Sequence, residues 1–209
     1  MDTAATFFPR IFRELKSLGF LLESDPKLPS VATLITGSPL RGSWWSHPLA
    51  QQIFQVNEKL DDHRDVLITK LISRKVTFVH RSLWSQVTAI GSAREPWQLK
   101  KLPQAATSLL KQVDAAGSVT TAKLVWPLRF DMKLGDAARE LETRLLIVGT
   151  QFHTESGVHA KLLETWEHWA ERVGFENESL AVAAAKENLE GRLIKLNSEF
   201  HAAAKLPWE

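Results

Sequence analysis

Apolar residues recur at helical spacing along most of the chain and alternate in only a few places. Phe8, Ile11, Phe12, Leu15, Leu18 and Leu22 fall three or four apart, which predicts a helix over 6–23 with one buried stripe. Asp25-Pro26-Lys27-Leu28-Pro29-Ser30 ends it, because proline disfavours helix at the residue before it. Residues 36–48 are rich in glycine, proline and serine and read as a loop. Pro48 suits the first turn of a helix to about Leu60, with Leu49, Ile53, Val56 and Leu60 inward. The period then changes. Val66–Ile72 is β-branched and apolar, Ser73-Arg74-Lys75 is a polar turn, and Val76–Val79 alternates, so 66–79 is expected to be two paired strands. Ser82 is expected to cap a helix through Ile90 that Gly91-Ser92 closes, with 93–97 a linker or a single turn.

The second half shows no repeat of this sequence, though a helix–hairpin–helix order is expected twice, over 49–90 and 103–172. Ala106, Leu109, Leu110 and Val113 mark a helix over 103–116, with Gly117 just past its end. Residues 118–124 look like a capped short helix stopped by Trp126-Pro127. Asp136 is expected to cap a helix through about Arg144, and Leu145–Val148 leads into an extended segment ending near His153. Residues 158–173 fit either a helix or a return strand and then a helix; the hairpin, turning at 154–157, is favoured, with helix from about Glu164. A final alanine-rich helix covers 179–203. The expected fold class is α+β, mostly helical with small antiparallel hairpins. The expected division is 1–100, helical with a hairpin, and 101–209, with C-terminal helices, the two together forming two parts or one compact unit.

Composition narrows the chemistry. With no cysteine among 209 residues, disulfides, thiolate metal sites and cysteine nucleophiles are excluded. Tyrosine is absent too, while tryptophan occurs 8 times. No apolar run is long enough to span a membrane, no secretory signal opens the chain, and the cytoplasm is the expected location. Charge is unevenly placed. Residues 64–133 hold 12 Lys/Arg against 4 Asp/Glu, and residues 164–209 hold 5 against 9. A basic middle attracts polyanions, unless the acidic tail packs beside it and cancels it.

The order over 103–163 is helix, glycine turn, short helix, loop, helix, hairpin, which is the order of a winged helix-turn-helix. On that reading Lys133, Arg139, Thr143 and Arg144 belong to a groove-facing third helix, and His153, His159 and Lys161 to a wing that touches phosphates. Asp136, Glu140 and Glu142 on the same helix oppose this, since they repel phosphate. The stretch Asp136–Leu146 with His153–Lys161 resembles uncharacterised bacterial proteins with winged-helix character. It is also similar to the winged-helix family of bacterial crosslink-repair DNA glycosylases, over about the last half of the chain. That resemblance implies stacked winged helices and DNA as partner. The family's Gln-x-Gln catalytic motif does not occur here, so the resemblance assigns no catalytic residue.

Other groupings of chemically capable residues stand beside this one. His153, Glu155 and His159 surround one tight turn and form a candidate acid–base or metal site, although Thr154 and Ser156 are also ordinary turn formers. Lys70, Arg74 and Lys75, followed by His80 and Arg81, make a basic hairpin tip that either lies on phosphates or is simply solvated. Arg129 adds to the basic stretch. Gly37–His47 joins two glycines, Arg41, Trp44 and Trp45 in a loop that either holds a ligand or is pinned by a tryptophan in the core. Glu164, Glu167, His168 and Glu171 read as a solvated acidic face rather than a metal site. The leading expectation is binding of duplex DNA or another nucleic acid, mainly through phosphates, with no cofactor, metal or membrane. The alternatives are a small hydrolytic or DNA-repair enzyme and a protein-interaction module.

Overall fold

A computed structural model describes residues 3–40, 42–127, 130–153, 159–176 and 179–209. The chain is α+β and divides into two compact units. The first takes residues 1–84 and 186–207 with Glu209, and the second takes 85–185 with Trp208.

The first unit opens with helix α1 (Thr3–Leu18), whose Ile11 and Leu15 are fully buried. The helix expected over 6–23 stops early, at Gly19, whose φ of +85° is left-handed. Only glycine fits there, since a Cβ would stand 2.6 Å from Leu83 Cδ1. Phe20–Leu22 then forms strand β1, buried throughout, so Leu22 belongs to a strand and not to the helical stripe. A short helix α2 (Val31–Thr36) was not anticipated. Ser30 caps it by accepting the Thr33 N–H at 3.2 Å, and Gly37 ends it in the left-handed region. Helix α3 (Ala50–Asp61) buries Ile53, Val56 and Leu60 as its pattern predicts.

The expected hairpin is present as β2 (Val66–Thr69) and β3 (Thr77–His80), paired antiparallel. Its strands are shorter than predicted, because Leu71 and Ile72 turn into the core and Ser73 and Arg74 adopt positive φ. β3 is also central, since β1 pairs on its other side and gives the order β1-β3-β2. Ile11, Leu15, Leu21, Val31, Ile35, Ile53, Val56, Leu60 and Phe78 form one core.

The second unit contains most of α4 (Trp84–Ser92), then α5 (Pro96–Leu99) and α6 (Gln104–Ala116). The turn before α4 is capped by His80, which accepts the Ser82 N–H at 3.2 Å, and not by Ser82. Gly91 does not close α4 but lies inside it, against the Trp166 indole. The expected short helix at 118–124 is instead a strand, β4 (Ser118–Thr120), and one 3-10 turn. Helix α7 (Leu134–Thr143) begins after Lys133, so Asp136 sits in its first turn rather than at its cap. β5 (Val148–His153) and β6 (His159–Glu164) pair in register, and Thr165 caps α8 (Trp166–Arg172). The sheet order is β4-β6-β5. Helix α9 (Val182–Glu199) carries the chain back to the first unit. Among the described residues no helix is long and apolar enough to cross a membrane.

Candidate functional site

Alternation along β6 decides which groups of the second unit meet. Lys161 and Glu164 are three residues apart, so their side chains leave opposite faces of the sheet. Lys161 Nζ donates to Glu142 Oε1 of α7 at 2.6 Å. Glu164, fully buried, accepts from Arg172 Nε and Nη2 of α8 at 2.8 and 2.6 Å and lies 2.9 Å from His168 Nδ1. Helices α7 and α8 therefore cover opposite faces. The Glu164 carboxylate raises the Arg172 pKa further by hydrogen bonding, against the opposing effect of burial. Glu164 is thus a buried ion-pair partner, not part of a solvated acidic face. Among the described residues no cluster of three metal-ligating side chains occurs.

Glu142 follows Ala138 by one helical turn, which places it on the buried stripe of α7 at 5% exposure. Gly149 of β5 makes room for it, since a Cβ there would stand 2.0 Å from Glu142 Oε1. Its Oε2 is buried with no hydrogen-bond partner among the described residues. A buried acceptor left unmet is costly and uncommon, so this oxygen is the one polar atom of the pair that the Lys161 bond does not satisfy. The Thr121 hydroxyl accepts the Lys161 N–H at 2.9 Å and fixes the strand from which the lysine reaches.

Charge on α7 is partly neutralised within the unit. Glu140 accepts from Arg144 at 2.7 Å and Glu142 from Lys161, so two of the three acids expected to repel phosphate are already neutralised. Lys133, Asp136 and Arg139 remain exposed at three-residue steps on one face. Lys100, Lys101, Lys111 and Lys123 are likewise exposed and, with Lys133 and Arg139, have no ion pair among the described residues. The exposed acids Glu167 and Glu171 lie on α8, across the sheet.

The other sequence candidates fall in separate places. Glu155 and Arg129 lie outside the described residues, and of His153 and His159 only the backbone pairing is described, one strand step beyond Gln151–Lys161. Lys75 is bound to Asp25 at 2.7 Å. Burial would raise the Asp25 carboxyl, but hydrogen bonds from Lys75 and from the Leu28 and Lys27 N–H groups outweigh it and hold it below its ordinary value. Lys70 faces the field of Glu23, whose carboxyl is raised by burial against the opposing pull of Trp44 and Lys70. Arg74 is the exposed cation of that tip. In the glycine-rich loop Trp44 is the buried pin, and Trp45, 63% exposed, stacks on it at 4.1 Å and meets Phe54 at 5.7 Å; Arg41 lies outside the described residues. The outward face of α3 carries Glu58 and Asp61.

Sequence reasoning passed over Gly149, the burial of Glu142 and the free lysines of 100–123. Spacing marks Glu142 on the alanine–leucine stripe, but its lysine lies across a hairpin whose register no local pattern reveals. No curated protein and no solved structure matches the chain. A protein-family model described as "AlkZ related" matches residues 8–205.

Proposed function

The chain belongs to the AlkZ-related family, and from that premise we propose that it is a DNA-binding protein of repair that holds a duplex through phosphates on the α7 side of its second unit. AlkZ is a crosslink-repair DNA glycosylase. The observation that carries this reading is the placement of free charge: Lys133 and Arg139 stand exposed on the α7 side with Asp136 between them and Asp131 just before, and Glu167 and Glu171 stand on α8 across the sheet. Such cations supply affinity with little sequence information. We read each unit as a winged helix. In support, the first runs α1, β1, α2, α3 and the β2–β3 hairpin, the second runs α6, β4, a 3-10 turn, α7 and the β5–β6 hairpin, and both sheets place the first strand beside the last, as β1-β3-β2 and β4-β6-β5. In the second unit α7 is then the groove-facing helix and β5–β6 the wing. The acids on α3 disfavour the same role for the first unit.

The test is a titration of fluorescent duplexes of several sequences at two salt concentrations. Lys133→Glu combined with Arg139→Glu is expected to weaken binding to all of them alike, by roughly tenfold or more at low salt. Contact by all six free cations sets a ceiling on the salt dependence, a log–log slope of about −5. Absence of binding at low salt ends the reading.

A second reading, hydrolytic repair, is favoured by one observation, the buried Glu142 carboxylate with its unmet Oε2 beside Lys161. A carboxylate so placed is suited to take a proton from an attacking water. Release of modified bases from alkylated duplex that Glu142→Gln abolishes, while duplex binding is kept, is the expected signature.

A further inference from the structure

Two aromatic rings of the first unit face solvent side by side. Trp45 is 63% exposed and Phe54 38%, with ring centres 5.7 Å apart. Trp45 lies flat on Trp44, 4.1 Å away at an interplanar angle of 23°, and Trp44 is buried in the core. The turn that carries them is closed by its own bonds. The Trp45 N–H donates to Ser43 Oγ at 3.4 Å, the Ser46 hydroxyl to the Ser43 carbonyl at 3.0 Å, and the His47 N–H to the Trp44 carbonyl at 3.1 Å. A ring held in this way loses little freedom when a partner covers it.

The charges around the rings select the partner. Glu58 stands one turn after Phe54 on α3 and Asp61 two turns after it, so the three share a face, and Asp62 is exposed next to Asp61. Lys59 leaves the helix roughly 140° round from Phe54, and Arg64 follows only past the helix end. Partial burial, and then the charges of Asp62 and Glu58, push the Asp61 carboxyl up to about 6, and both of those charges are negative. A cation laid on this face relieves the repulsion, whereas a phosphate adds to it. A guanidinium or ammonium is also the charge that an open tryptophan face attracts. Aromatic rings continued by carboxylates therefore fit a basic protein segment and not a nucleic acid.

We propose that the Trp45–Phe54 ledge and the acidic end of α3 dock an arginine-rich segment of a partner protein. Its apolar side chains and guanidinium planes lie on the rings, and its remaining cations lie against Glu58, Asp61 and Asp62. This face belongs to the first unit and stands whether or not the second unit binds DNA.

The experiment follows the indole N–H resonances of the isotope-labelled full chain, with the Trp45 signal identified by its loss in Trp45→Phe. The chain is titrated with a short peptide of alternating arginine and leucine, with the same peptide carrying glutamate for arginine, and with a short DNA duplex. The arginine peptide is expected to move the Trp45 signal, less so as salt rises, and the other two to leave it in place. By anisotropy of the labelled arginine peptide, Trp45→Ala should weaken binding roughly tenfold or more, and Trp45→Phe should keep most of it. Glu58→Gln with Asp62→Asn should weaken it severalfold, and Glu167→Gln on α8 should leave it unchanged. Circular dichroism checks that the variants fold. A Trp45 signal silent to the arginine peptide, or equally responsive to the glutamate one, overturns the proposal. A response to the duplex alone gives the face to nucleic acid, and a shift that follows the protein's own concentration gives it to a second copy; either overturns the proposal too.

Discussion

Asp61 stands near the end of α3, beside Asp62 and one turn beyond Glu58. Burial, and then the charges of Asp62 and Glu58, push its carboxyl up to about 6. The folded protein therefore holds this proton more tightly than the unfolded chain does. The proton's contribution to stability is full below the ordinary carboxylate range and is lost as pH rises through about 6. Asp61→Asn should accordingly raise the melting temperature at pH 7, by no more than about 2 °C at a solvent-screened site, and change it little at pH 4. Equal shifts at the two pH values would refute the assignment. Glu142 is buried with a lysine partner, and Gly149 is the residue that admits it.

Elements whose hydrophobic period is long were legible from the chain alone. Helices α3 and α6 and the β2–β3 pairing follow from Ile53, Val56 and Leu60, from Leu109, Leu110 and Val113, and from the β-branched run at 66–72, whereas the β5–β6 return strand was one of two readings its spacing allowed. What was not legible depends on partners distant in sequence. Phe20–Leu22 continues the α1 spacing, and only pairing with Thr77–Val79 makes it a strand. Ser118–Thr120 likewise becomes β4 through Leu162–Glu164. The same lesson holds at Gly91. In an isolated helix glycine to alanine stabilises by about 1 kcal/mol. Here a Cβ would meet Trp166 Nε1 at 2.1 Å, and that indole is fully buried and bound to the Leu145 carbonyl at 2.7 Å. Gly91→Ala should therefore destabilise by about 1–3 kcal/mol in denaturant unfolding. A stabilised variant would mean that Trp166 yields easily. The candidate site was half visible: Lys133 and Arg139 could be placed on one helix face, whereas the neutralisation of Glu140 and Glu142 needed the fold.

At the scale of the molecule, the first unit is assembled from both ends of the chain. Arg192 Nη1 donates to the Leu18 carbonyl at 3.4 Å, Lys27 Nζ to His201 O at 3.0 Å, and the Ser73 N–H to Lys205 O at 2.8 Å. Leu189 and Leu193 of α9 are buried. Deleting 186–209 should then strip amide-exchange protection from β1–β3, and undiminished protection there would show the returning segment to be dispensable. During synthesis the consequence is a matter of timing. The ribosome delivers residues 1–84 first, yet their closing helix is made last, roughly 10 s later at ordinary elongation rates. Residues 85–185 are contiguous and need not wait. The amino-terminal unit is thus the later of the two to mature, and over that interval its apolar strands are open to pairing elsewhere.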